Sequence, residues 1–164
     1  MSISLIYCKS INNVIGDKGK MPWSLKEDMQ MFRKLTENNS VIMGRKTYES
    51  VGKKLPGRRN VNITSQNLPD VEHYHSIEEA LVALASEEKV FVIGGGEIYK
   101  QTIERADELL LTIVENDEDG DTFFPSIEEL IGTRLKLVNE IKHEGFTFLE
   151  YKRISISPSP SQNQ

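Results

Sequence analysis

The runs "VIMG" at 41–44 and "VFVIGGG" at 90–96 constrain this chain most. Each is a short, continuous apolar stretch that ends in glycine and leads into residues with helical spacing. Strands that are apolar on both faces are buried on both faces, as in a sheet flanked by helices. "ISLIYC" (3–8), "NVNIT" (60–64) and "LLLTIVE" (109–115) read as further strands. Helices fit between them at 25–36, within "RKTYESV" (45–51), at 76–86 and from about 97. Ile77, Ala80, Leu81 and Leu84 share one face of the third of these, and Ser76 with Glu79 reads as a capping box. Strands alternating with helices imply βαβ units and a mostly parallel sheet. "LKLVNEIKHEGFTFLEYKRI" (135–154) reads as two long strands turning at 143–145, an antiparallel C-terminal hairpin. The chain is thus an α/β fold in one domain over 1–156, followed by a polar tail at 157–164 with nothing to pack.

Bulk properties exclude several classes. A formal charge of −5 over 164 residues argues against general nucleic-acid binding. The one cysteine, Cys8, rules out an internal disulfide framework and suits a reducing compartment. The N-terminus carries neither a signal-peptide pattern nor a membrane span, so the expectation is a cytoplasmic soluble protein with no membrane partner. His73, His75 and His143 lack metal-ligand spacing, and no metal is expected. A monomer is expected because no apolar helix is left unassigned.

Residues 9–24 form a long connection rich in turn formers, a length that in compact domains tends to be functional. In the helix that follows, Ser24 and Glu27 form a capping box, which explains Glu27. Asp28 instead falls on the arc of Leu25, Met29, Phe32 and Leu35. Two readings stand for Asp28. It answers the positive end of the helix dipole, or it binds a polar ligand group in an apolar pocket lined by Phe32.

Glycines before helix N-termini let backbone N–H groups approach phosphates. "GGGEIY" does not complete G-x-G-x-x-G, because Tyr99 stands at the third glycine position. The two glycine-ended strands together make a clamp for a bridging diphosphate. Arg45, with Thr64 and Ser65, could add a second phosphate site and favour NADPH over NADH. Arg58, after the "LPG" turn, is either a solvated turn arginine or a clamp for a substrate carboxylate.

"ISLI", "VIGDKGKMPWSLKEDM", "VIMGRKTYESVGKKLPGRRNV", "VIGGGEIY" and "GDTFFP" occur in this order over residues 3 to about 153. Together they resemble dihydrofolate reductases of the bacterial chromosomal type. The resemblance implies a central eight-stranded, mostly parallel sheet. It implies NADPH-dependent reduction of 7,8-dihydrofolate to tetrahydrofolate, with hydride passing from nicotinamide C4 to pterin C6 and a proton to N5. It also implies sensitivity to antifolate inhibitors.

By position, Asp28 is similar to the pterin-binding acid, Thr112 to the threonine supporting it, and Trp23 to the tryptophan placing a nearby water. Ile6, Phe32, Lys53, Leu55 and Ile93 match substrate-wall positions, and Tyr99 the tyrosine near the nicotinamide. Arg58 matches the arginine holding the α-carboxylate of the folate tail, which favours the clamp reading. Tyr7 and Cys8 (through backbone), Ile15, Gly16 and Lys20 match positions facing the cofactor. So do Gly44, Arg45, Lys46, Thr47, Thr64, Ser65, His75, Gly94, Gly95, Gly96, Glu97 and Ile98. In the family the peptide between the first two glycines of "GGG" is cis. Met21 lies in the loop that closes over the nicotinamide, and Asp121 matches its partner in "GDTFFP".

Tyr7 and Cys8 stand where bacterial members commonly carry small or aliphatic residues. Glu97 puts an acid at a helix start aimed at the diphosphate. Two competing readings are a riboflavin-pathway reductase on the same fold, which would not require Trp23 and Asp28 together, and a non-catalytic folate- or nucleotide-binding protein.

Overall fold

Residues 1–16, 26–52, 54–115, 122–124, 127 and 129–154 are described by a computed structural model; at 14, 16, 26–29 and 122 the description is of backbone alone. The elements run β1 (Ser2–Ser10), β2 (Val14–Gly16), α1 (Lys26–Thr36), β3 (Ser40–Gly44), α2 (Arg45–Val51), β4 (Arg59–Ile63) and β5 (Glu72–Tyr74). They continue with α3 (Ile77–Ala83), β6 (Lys89–Val92), α4 (Gly96–Thr102), β7 (Glu108–Val114), β8 (Thr122–Phe123), β9 (Leu135–His143) and β10 (Phe146–Arg153). Eight strands form one sheet in the order β5-β4-β3-β6-β1-β7-β10-β9. β5 to β7 pair in parallel, and the C-terminal hairpin adds antiparallel to β7. The mostly parallel sheet with an antiparallel closing hairpin is therefore present.

The period-2 alternation of the strands divides the core into two faces. Ile3, Leu5 and Tyr7 of β1 point to one face, where Ile77, Ala80 and Leu84 at α3 and Ile98 and Tyr99 of α4 cover the sheet. Ile6 points to the other, with Val41, Met43, Phe91, Leu110 and Phe148. On that face Met31, Phe32 and Leu35 of α1, Tyr48 of α2, and Leu55 complete the packing.

Three expectations are corrected, and one strand, β5, is added. The connection expected over 9–24 is strand at both described ends: β1 runs on to Ser10, because Lys9 and Ser10 pair with Ile113 and Val114. β2 then pairs with β8 in a separate two-stranded ribbon. β5 has no apolar alternation to announce it. It is held to β4 by Arg59, whose guanidinium donates to both carboxylate oxygens of Glu72 at 2.8 and 2.7 Å and to Glu87 at 3.0 Å. The helix expected over 76–86 is shorter, Ile77–Ala83. Its Ser76 Oγ accepts from the Glu79 N–H at 3.1 Å, but the Glu79 carboxylate returns to the N–H of His75 at 3.5 Å, one residue outside a capping box. The Ser24–Glu27 box and the 157–164 tail lie outside the described residues.

Candidate active site

The candidate cofactor residues collect at the carboxyl ends of adjacent parallel strands. Gly44 ends β3 and Arg45, Lys46 and Thr47 follow it; Thr64 and Ser65 follow β4; His75 follows β5; Gly94 to Ile98 follow β6. Ligands of open α/β sheets bind outside these ends. The ends of β3 and β6 are joined directly, with the Gly44 N–H donating to the Gly94 carbonyl at 2.8 Å. Gly44 and Gly95 are the N-caps of α2 and α4, and neither offers a side-chain cap to the first-turn N–H groups. The Gly94–Gly95 peptide is cis, and Gly94 has φ of 126°. A Cβ on Gly94 would meet the Tyr99 hydroxyl at 3.3 Å, and one on Gly95 would meet Thr47 Oγ1 at 3.3 Å. No side chain but glycine's fits this approach without displacing a neighbour.

Around the glycines, Arg45 is half-buried, while Lys46, Ser65 and His75 are exposed. Thr64 is buried, and its hydroxyl accepts from the Gln66 N–H at 3.1 Å. Glu97 is exposed, and its carboxylate accepts from Gln101 Nε2 at 3.3 Å, one helical turn along α4.

The candidate substrate wall lies on the face occupied by α1. Ile6, Phe32, Leu55 and Ile93 belong to one apolar cluster, as their separate matches required. Cys8 and Thr112 sit opposite each other in the β1–β7 register, and Phe148 of β10 lies across from Thr112. Their parity places Cys8 and Thr112 on the face of Ile6 and Leu110. Tyr99 enters from the other face, and its hydroxyl donates to the Ile6 carbonyl at 2.8 Å.

Arg58 is held in place from two sides. Its Nε donates to the Pro56 carbonyl at 3.0 Å, and Nη1 donates to Thr36 Oγ1 at 3.1 Å. The Thr36 hydroxyl donates in turn to the Phe32 carbonyl at 2.8 Å. The guanidinium carbon sits 6.0 Å from the Phe32 ring centroid. Partial burial and the neighbouring Arg33 lower the Arg58 pKa, yet an arginine remains protonated. A fixed cation at the mouth of an apolar wall is suited to a carboxylate.

Two positioning residues were not singled out from the sequence. Thr36 orients Arg58. Asn60 pins the turn that carries both Leu55 and Arg58: Oδ1 accepts from the Leu55 N–H at 2.8 Å, and Nδ2 donates to the Leu55 and Arg58 carbonyls at 2.9 and 2.8 Å. An asparagine three residues after a Pro-Gly pair was the available cue.

Asp28 lies in the first turn of α1, four residues before Phe32; its side chain is outside the described part. Lys20, Met21, Trp23, Lys53 and Asp121 lie outside the described residues, and Ile15 and Gly16 lie in β2.

Residues 2–153 match the family model for dihydrofolate reductase. The chain belongs to the dihydrofolate reductase family. It is 43% identical over 129 residues to the dihydrofolate reductase of Haemophilus influenzae, an alignment covering 77% of this chain and 81% of the relative. It is 34% identical over 160 residues to that of Bacillus subtilis, covering 92% and 94%. Among solved structures it is similar to dihydrofolate reductase from Enterococcus faecalis complexed with NADP(H) and RAB-propyl. That likeness has a TM-score of 0.83 at 30% identity, over 94% of this chain and 97% of the other. The joined strand ends and the apolar wall share β3 and β6.

Proposed function

We propose that this chain reduces 7,8-dihydrofolate to tetrahydrofolate with NADPH, as a cytoplasmic monomer open to antifolate inhibitors. The observation that carries this is the adjacency of the two halves of the cleft. The Gly44–Gly94 junction ends the same strands whose Met43 and Phe91 underlie Phe32 and Leu55. The residues present fit the cofactor, because the glycine N-caps offer the first-turn N–H groups no side-chain cap and a Cβ would crowd the junction. Gly44 to Thr47 and Gly94 to Ile98 would hold the diphosphate. Arg45, Thr64 and Ser65, with Lys46 and His75, would hold the further phosphate of NADPH. When bound, the cofactor supplies a hydride for pterin C6.

The chain's own part is positioning and exclusion of water. Asp28 holds the pterin 2-amino group and the adjacent ring nitrogen by paired hydrogen bonds, supported by Thr112 and by a water placed by Trp23. These contacts lie on the ring edge away from N5, so N5 takes its proton from solvent. Ile6, Phe32, Leu55 and Ile93 lie against the ring and its extension, and Arg58 takes the tail carboxylate. Met21 and Asp121 control closure of the loop. Among the described residues no helix is long and apolar enough to cross a membrane, which supports the soluble reading.

The test is the loss of NADPH absorbance on adding dihydrofolate, with an antifolate as control. An antifolate-insensitive or absent loss sinks the proposal. Asp28→Asn is expected to keep NADPH binding and lose most reduction at neutral pH.

A further inference from the structure

The Tyr7 ring stacks face to face on Phe124, with centroids 3.5 Å apart and planes at 6°. Tyr99 tilts onto both rings, at 5.6 Å from Tyr7 and 5.1 Å from Phe124. Tyr7 and Phe124 are separated by more than a hundred residues, so the stack joins two distant parts of the chain. Phe124 closes the β2–β8 ribbon: its N–H donates to the Asn13 carbonyl at 3.0 Å, and the ladder continues through Val14 with Phe123 and Gly16 with Thr122. Ile15, between those rungs, packs against the cluster that contains Tyr7 and Phe124.

A ribbon of three residues against two is too short to hold itself in water. Its place on the sheet has to come from side chains that reach the core. Among the described residues the buried Tyr7 hydroxyl has no hydrogen-bond partner, so the stack uses the ring and not the oxygen.

We infer that the Tyr7–Phe124 stack is a positioning contact that sets where Ile15 and Gly16 stand against the cofactor. The inference rests on the reductase reading, which places Ile15 and Gly16 at the nicotinamide end of the cleft. Tyr7 acts from the face of the sheet opposite the substrate wall, through Phe124 and the ribbon. A role confined to core packing would cost stability and leave both ligand affinities alone.

The test uses the full chain and calorimetric titration with NADPH and, separately, with folate, below the unfolding temperature. Tyr7→Leu and Phe124→Leu are each expected to weaken NADPH binding roughly three- to tenfold, the range expected for losing one aromatic pair. The double variant should be no weaker than the weaker single, because the two residues act through one contact. Tyr7→Phe, which keeps the ring, should weaken NADPH binding less than Phe124→Leu does. Folate affinity should stay within about twofold throughout, since no substrate-wall residue is touched.

Wild-type NADPH affinity in folded Phe124→Leu, equal weakening of both ligands, or weakening by Tyr7→Phe as great as by Phe124→Leu overturns the inference. If Tyr7→Leu does not fold, Phe124→Leu and Tyr7→Phe decide it alone. Absence of dihydrofolate-dependent NADPH oxidation by the parent chain overturns the activity instead, a separate readout from the NADPH titration.

Discussion

The Tyr99 hydroxyl donates to the Ile6 carbonyl at 2.8 Å, with both residues buried, so α4 is tied through the sheet to the strand that floors the substrate wall. The same hydroxyl is the nearest atom to a Cβ built on Gly94. One phenol therefore links the glycine junction to β1. Tyr99→Phe removes the donor and leaves the buried Ile6 carbonyl without it. The expected loss of stability is about 1–3 kcal/mol, the cost of an unsatisfied buried group. Thermal unfolding with and without NADPH measures it, and an unchanged Tm would show that the carbonyl finds another donor.

Arg58 is fixed by Thr36 and Pro56 before any ligand arrives, so its contribution to binding carries little ordering cost. Arg58→Gln is expected to raise the dihydrofolate KM roughly 10- to 100-fold with kcat changed far less, because a charge-assisted pair remote from the reacting atoms binds ground and transition states alike. Thr36→Val, which frees the guanidinium but keeps its charge, should give the same pattern at smaller size. A pterin substrate lacking the glutamate carboxylates should be insensitive to both changes. A fall in kcat with KM unchanged would remove Arg58 from the tail site.

Much of this site could be read from the chain, and the limits have physical causes. "VIMG" and "VFVIGGG" announced β3 and β6 because apolar runs and glycine act locally. Of the wall, periodicity pointed to Phe32 alone; Ile6, Leu55 and Ile93 came from family matches, since four separate elements supply it. β5 escaped because Glu72–Tyr74 is held by Arg59 across the sheet, and an ion pair leaves no periodic trace. The Tyr7–Phe124 stack escaped for a similar reason: its partners are distant in sequence, and neither residue alone departs from a core pattern. Asn62 of β4 is fully buried, among the described residues neither of its amide atoms has a partner, and nothing in the described fold explains it.

The glycines of the strand-end junction differ in what they can tolerate. At Gly94 the backbone has φ of 126°, which L side chains rarely adopt, and a Cβ would also press on Tyr99 and Thr47. At Gly44 φ is −79°, and the tight contact is with Ile98 Cγ1 at 3.1 Å, a side chain that can shift. Gly94→Ala is expected to cost about 1–3 kcal/mol of stability and to weaken NADPH binding sharply. Gly44→Ala should cost clearly less on both counts. Chemical denaturation and NADPH titration of the two variants side by side check the order, and a reversed order would show that the junction is not set by backbone conformation.

Arg59 gives the sheet edge a dependence on pH. Its hydrogen bonds hold the carboxyl groups of Glu72 and Glu87 below the usual carboxylate range, with the Tyr74 hydroxyl helping at Glu72 and the Ser40 hydroxyl at Glu87. A carboxyl whose folded pKa is depressed contributes stability that is fully present above its unfolded pKa, about 4.3 for glutamate. That contribution falls away as pH drops through the lowered folded values. The Arg59 side chain is 38% exposed, so its pairing with Glu72 is screened and contributes at most about 1 kcal/mol. Arg59→Met should therefore lower Tm at pH 6–7, and the difference from the parent should shrink as pH falls below about 4. Molar salt at pH 7 should shrink it too. Thermal unfolding from pH 7 to pH 3 is the measurement; a deficit that stays constant with pH would assign Arg59 to packing and not to charge.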